Sequence, residues 1–562
     1  MPSHPAARRI AVTIAVLVAV ALPLSVTVLV KHILMPKAQQ PESQQHAGRT
    51  FYVNEDGSDA FGGLSRDQAW QTLDRVSKEQ LRPGDRVLLN GKVSGTLSIG
   101  PGEAGDAHNP VVITSYGSTR ASIVSDLGIQ VRDTAGVAIR NIGIYGSGSG
   151  KERDGINIYA DAATHDRLTG IALENLDVSG FVNGISIGAE TASGFSDVEI
   201  TDSVVRDNRN NGLAISGPRF DSGHPAYAHK HVAITAVYAY HNSGNNKDEG
   251  PNTGSGIVVG STDTALIDQS AAYGNGTQAG NFREGPIGIW AYDAKNVTIQ
   301  RSLSYSNRTV GADGDGFGLD QNTTDSILQY NLSYDNSGAG ILLFGQQTNR
   351  ANMRNVVRYN ISVNDSRIGY YGAISLFGGV DGGNYNGRVS DARVYQNTVI
   401  VGDRNPPTPA ILFLGSVDST TVANNVFFGP IAVANRQPSG KILLPGNDYF
   451  SIGDTLIEWD KSTYSKLDDW RRATPSEDAD GASTGIQADP GLVDTATPTG
   501  IVRAAQLRTA IGFAPGPTSP LPQAGVDLAT LGINDPDQRD FLGEPVSATS
   551  RSVGAVGKRN PS

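Results

Sequence analysis

Apolar residues fall at every second position in short runs along most of the chain, and the runs recur. The densest copies lie between Gly285 and Phe344, where NVTIQRSLSYSN…GFGLD is followed by DSILQYNLSYDNSGAGILLF. A period of two predicts strands and not helices. Each copy holds three short strands, a turn, and a glycine before the third strand. Repetition of such a unit predicts an all-β solenoid, a parallel β-helix, over residues 50–435.

The third strands align at their leading glycine: Gly184, Gly212, Gly256, Gly288, Gly316 and Gly340. Alternation then sends Ile185/Ile187, Leu213/Ile215, Ile257/Val259, Ile289/Ala291, Phe317/Leu319 and Ile341/Leu343 inward. The outward column reads Ser186/Gly188, Ala214/Ser216, Val258/Gly260, Trp290/Tyr292, Gly318/Asp320 and Leu342/Phe344. Small residues give way to Trp, Tyr, Asp and Phe, and stacking on sugar rings is one reason for aromatics on a solvent face. A second column, Asn208, Asn242, Asn275, Asn307 and Asn336, predicts an internal ladder of stacked amides. Tyr240, Tyr273, Tyr305 and Tyr334 run parallel to it, two residues earlier. Longer intervals between rungs, such as 217–230, 243–254 and 276–286, are turn insertions that wall a groove.

The ends differ from the middle. Residues 10–30 carry no charge and are long enough to span a bilayer as a helix. Arg8 and Arg9 before them predict a cytoplasmic N-terminus over 1–9. This reads as an uncleaved membrane anchor, with a cleaved signal peptide as the rival. Residues 31–49 read as a polar tether. The β-helix would then lie outside the cytoplasm, in the periplasm or beyond the cell. Ser65 is expected to cap a helix whose Ala69, Trp70, Leu73 and Val76 cover the open end of the solenoid. Residues 436–562 are rich in Pro, Asp and Gly, and are expected to form a C-terminal cap and a tail packed along the helix.

The chain has no cysteine, which excludes disulfides, thiolate metal sites and cysteine nucleophiles. Its net charge of −11 argues against nucleic acid as a partner. It also gives no long-range attraction for an anionic polymer, so binding one needs local cations or a metal.

The opening FYVNEDGSDAFGG…AWQTLDRV…LRPGDRVLL, the rung pattern, and the tail with Trp470, Ala488-DPGLVD and SVGAVG resemble the pectate-lyase-like superfamily of right-handed parallel β-helices. The resemblance implies an exported, polysaccharide-acting protein. In the ninth family of polysaccharide lyases a GFKL strand carries a lysine base, and aspartates of neighbouring rungs hold calcium. Here the strand reads Gly316-Phe317-Gly318-Leu319-Asp320, with Gly318 in the lysine's place.

The acids of the dense stretch are Glu284, Asp293, Asp313, Asp315 and Asp320, and Arg283, Lys295 and Arg308 are the nearby cations. β-Elimination on an acidic polysaccharide is the first expectation. Arg308 would neutralise the uronate, a base such as Tyr292, His241 or Lys295 would take the α-proton, and Asp313, Asp315 and Asp320 would hold Ca²⁺. Hydrolysis is the alternative, with Asp293 and Asp320 on adjacent rungs as the carboxyl pair. Trp290, Phe344, Glu284 and Lys295 are the candidate substrate contacts in both. A non-catalytic glycan-binding surface protein is the third expectation.

Overall fold

The computed structural model describes residues 48–558 apart from 163–165, 247–251, 282–283, 346–351, 380–386, 439, 480–481, 548 and 550. The predicted anchor at 10–30 and nearly all of the tether lie outside these residues. Among the described residues no helix is long and apolar enough to cross a membrane.

The described chain is all-β. Three long parallel sheets wind around a common core, and successive strands of the chain fall in successive sheets. The first sheet begins at Thr50–Asn54, the second at Lys92–Ser94 and the third at Leu97–Ile99. In the third sheet Ile257 pairs with Ile289, Ile289 with Phe317, Phe317 with Ile341, and Ile341 with Ile374. This is the register that the glycine alignment predicts. These residues are buried and form the continuous core, because a one-residue slip would turn the whole apolar set to solvent.

The two polar columns take the expected form. Asn208 Nδ2 donates to Asn242 Oδ1 at 2.9 Å, Asn242 to Asn275 at 2.9 Å, Asn275 to Asn307 at 3.0 Å, and Asn307 to Asn336 at 3.0 Å. The ladder ends on the buried carboxyl of Asp365, which accepts from Asn336 at 2.8 Å. A second ladder, not foreseen, joins Asn331, Asn360, Asn397, Asn425 and Asn447. The four tyrosine rings stack with centroids 4.8 Å apart at each step.

The N-terminal cap is shorter than expected. A 3₁₀ turn, Arg66–Gln68, and one helical turn, Leu73–Val76, replace a continuous helix. Thr72 caps the second by accepting from the Arg75 amide at 3.3 Å, while the Ser65 side chain makes no capping bond. Ala69, Trp70, Leu73 and Val76 are nonetheless buried.

At the other end the hairpin of Ile457–Trp459 and Ser462–Tyr464 finishes the third sheet. The helix Leu467–Ala473 buries Trp470 against Trp459 and Tyr449. The chain then returns along the second sheet, where Ile501, Leu507, Phe513 and Phe541 pack on Leu303, Leu332 and Ile361. The Tyr334 hydroxyl donates to Ile501 O at 2.9 Å, so this segment covers one end of the tyrosine stack.

Candidate active site

A cleft of about 670 Å³ runs along the outward face of the third sheet. Its floor follows from the outward column. Ser186, Ala214 and Val258 leave depth at one end, and Trp290, Tyr292, Leu342, Phe344 and Phe377 fill the middle and the other end. Trp290 packs on Tyr292 with centroids 5.2 Å apart, and its indole N–H donates to Ser255 Oγ at 3.1 Å. Phe344 and Phe377 lie 5.0 Å apart on the second and third rungs after Trp290. The walls are turn residues. Asn183, Asn210, Asn211 and Asn252 bring amides, and Ile368, Tyr370 and Tyr371 come from the same corner on a later rung.

Three carboxyls open on the cleft: Glu284, Asp313 and Asp320. Asp320 ends its strand at an outward position. Its Oδ1 accepts the Gln321 amide at 2.6 Å. Burial raises its pKa well above the usual carboxyl value, and the neighbouring charges of Asp313, Glu284 and Asp293 push it the same way. Such a group keeps its proton where an ordinary aspartate has lost it.

Asp313 comes from the turn before the same strand. Its backbone is left-handed at φ 57°, a conformation that Asp tolerates better than most residues, and Gly314 follows at φ 82°. The turn aims the carboxyl inward, where Oδ2 accepts the Gly285 amide at 2.7 Å and Oδ1 accepts the Tyr371 hydroxyl at 2.5 Å. Burial raises its pKa too, and these two donors oppose that shift.

Asp315 is fully buried behind the cleft. Its Oδ1 accepts the Ala339 amide at 2.5 Å, and its Oδ2 has no hydrogen-bond partner among the described residues. Burial and the charge of Asp313 raise its pKa well above the ordinary value.

No family model matches the sequence, and no curated protein does. Solved structures do. One is the GH136 lacto-N-biosidase from Eubacterium ramulus, with a TM-score of 0.50 and 19% identity over 65% of this chain and 65% of that one. Another is the pectate lyase Pel9A, with a TM-score of 0.40 and 15% identity over 92% of this chain and 97% of that one. The fold is a parallel β-helix. The lacto-N-biosidase structure shares it.

Within this β-helix several sequence candidates fall elsewhere. Asp293 turns away at the corner after Tyr292, with φ 47°, and accepts from Asn322 Nδ2 at 2.6 Å. It is buried, with its pKa raised to about 6 mainly by burial, and it does not line the cleft. Lys295 opens the first-sheet strand Lys295–Gln300, pairs with Asp263 at 3.3 Å and lies over the Tyr227 ring. Arg308 is held by Asp335 at 3.2 Å, outside the cleft lining. His241 is exposed at a corner, 3.6 Å from Asp207. Arg283 lies outside the described residues.

Nor do Asp313, Asp315 and Asp320 form a calcium cage. Asp313 is turned to Tyr371 and Gly285, and Asp315 to the Ala339 amide. Among the described residues no three His, Asp or Glu side chains converge as metal ligands. At Gly318, where the lyase resemblance puts a lysine, an added Cβ would lie 2.9 Å from Ile287 Cδ1 and 3.3 Å from Trp290 Cβ. That space is already filled.

Trp290, Tyr292, Phe344, Glu284, Asp313 and Asp320 are thus brought together. Phe377, Tyr370, Tyr371 and the wall asparagines were not foreseen. Phe377 had a signal, since Ala373-Ile-Ser-Leu-Phe extends the aligned column by one rung. The Tyr370-Tyr371 pair in a turn had none beyond its aromatic character.

Proposed function

We propose that the chain is a glycoside hydrolase of a glycan that is uncharged at the cleaved bond. Asp320 is its general acid and Asp313 its ionised partner. The observation that carries this reading is that both carboxyls line one aromatic cleft whose described lining holds no Lys, Arg or His.

Hydrolysis needs one carboxyl that keeps its proton and one that does not. Asp320 accepts from a single backbone amide and is raised well above the ordinary range. It donates its proton to the glycosidic oxygen. Asp313 accepts at both oxygens, the pattern of a carboxylate. It attacks the anomeric carbon or activates the water that does, and the anomeric configuration of the product tells which. Trp290, Tyr292 and Phe344 stack the sugar rings, and the amides of the wall asparagines meet hydroxyls.

β-Elimination finds less support. It needs a base, and a cation to stabilise charge on the uronate carboxylate. Tyr292 has its pKa pushed up to about 12 by burial and by Asp293, Glu284 and Asp320, which makes it a poor base near neutrality. The ionised Asp313 in the cleft also repels an anionic substrate.

Neutral oligosaccharides incubated with wild type, Asp313→Asn and Asp320→Asn test the reading. Release of reducing ends by wild type, with a loss of roughly 10³-fold or more in each variant, supports it. Full activity in both variants overturns it.

We propose further that residues 10–30 anchor the enzyme, with the β-helix outside the cytoplasm; the uncharged run supports this. Membranes washed with alkaline carbonate should retain the full chain and release one lacking residues 1–47.

A further inference from the structure

The segment between Ser366 and Gly372 breaks the strand alternation, yet it is pinned along its length. The Ser366 amide donates to Gly338 O at 2.6 Å, and Ser366 Oγ to Tyr371 O at 2.5 Å. The Ile368 amide donates to Ser337 O at 3.0 Å, and the Gly372 amide to Ser375 Oγ at 3.0 Å. Ser366 and Ser375 are themselves fully buried. The turn is therefore a fixed part of its rung. It leaves Tyr370 61% exposed at the rim and turns Tyr371 inward to 6%.

The Tyr371 ring packs in the cleft cluster with Trp290, Ile287 and Leu342. That packing sets the direction of its hydroxyl, which meets Asp313 Oδ1 at 2.5 Å. Asp313 is fixed independently, by its left-handed backbone, by the Gly314 amide on Pro286 O at 2.9 Å, and by the Gly285 amide on its other oxygen. Two rigid elements from different rungs meet at one hydrogen bond.

We infer that Tyr371 is the positioning residue of Asp313: its hydroxyl fixes the carboxylate's orientation and favours its ionised form. This rests on the hydrolase reading above.

The balance of groups around Asp313 shows why a donor matters there. Asp315 and Asp320 lie on its own rung and Glu284 in the preceding turn, and all are acids. No described Lys, Arg or His lines the cleft to offset them. Among the described residues the donors to Asp313 are Tyr371 and the Gly285 amide. A hydroxyl donor favours the charged carboxylate without adding a cation. The phenol does not compete for the charge, since burial and Asp313 raise its own pKa well above the usual value.

The test uses the full chain and Tyr371→Phe, which keeps the ring and its packing, with Tyr370→Phe as control. Infrared difference titration in the carboxyl region, with Asp313→Asn subtracted to isolate Asp313, reads the carboxylate without any substrate. The expected result is a midpoint about one pH unit higher in Tyr371→Phe and unchanged in Tyr370→Phe. The acid limb of the kcat profile should move by the same amount with KM unchanged. An unmoved Asp313 midpoint overturns the inference, even where thermal stability falls. A moved midpoint in a protein that cleaves no glycan sustains the positioning of Asp313 and sinks the hydrolase reading instead.

Discussion

Trp290 lies opposite Gly318 in the register of neighbouring rungs, and Trp290 with Ile287 occupies the space above that glycine. One rung thus closes the place where a base would stand, and the next supplies the outward carboxyl of Asp320. Gly318→Lys should therefore fail to create lyase activity. Its side chain has to displace Trp290 or Ile287, and overpacking of this kind costs about 1–3 kcal/mol. Thermal unfolding of the variant reads the cost.

Tyr370 and Trp290 should separate binding from stability. Tyr370 is exposed at the rim, so Tyr370→Ala should raise KM by about 5- to 10-fold, the worth of one stacking contact of roughly 1–1.5 kcal/mol, with little change in unfolding. Trp290 is buried and bonded to Ser255. Trp290→Ala should destabilise the chain by about 3–5 kcal/mol as well as weaken binding. Calorimetry beside steady-state kinetics distinguishes the two.

Lys295→Ala and Arg308→Ala should leave kcat and KM as in wild type, because both cations are spent on Asp263 and Asp335 away from the cleft. Each partly exposed pair is worth roughly 0–1 kcal/mol, so stability should change little. A large loss of activity in either variant would place a cation in the chemistry after all.

Asp315 sets a pH dependence of stability. Its folded pKa is raised above the unfolded value by burial and by Asp313. The folded state therefore holds a proton that the unfolded chain releases above about pH 4, and stability falls as pH rises through that window. Asp315→Asn keeps the acceptor for the Ala339 amide and removes the ionisation. It should be more stable than wild type by on the order of 1 kcal/mol at pH 8 and by less at pH 5. Melting curves across this range check the sign.

What could be read from the sequence divides along a physical line. Alternation is a property of the strand backbone, so Gly256, Gly288, Gly316 and Gly340 were enough to place Ile257, Ile289, Phe317 and Ile341 in one stack. The outward partners Trp290, Tyr292, Asp320 and Phe344 followed and do line the cleft. Proximity in sequence misled wherever the chain turned a corner. Asp293 is next to Tyr292 and Lys295 only three residues on, yet a single left-handed residue swings both out of the third sheet. Asp313 lies in a turn whose Asp-Gly composition is ordinary loop chemistry, and only its left-handed backbone shows where the carboxyl points. Tyr371 is 58 residues away from the group it holds. No local pattern records a contact across two turns of a solenoid.

The central claim is that the cleft hydrolyses a glycosidic bond with Asp313 and Asp320. Its most direct test is to follow reducing ends and the ultraviolet absorbance of unsaturated uronate together, on neutral and on uronate-containing glycans, with wild type and Asp320→Asn. The account predicts reducing ends from a neutral glycan, no unsaturated product from any substrate, and loss of cleavage in Asp320→Asn. Unsaturated uronate rising in step with reducing ends would contradict it and return the site to elimination.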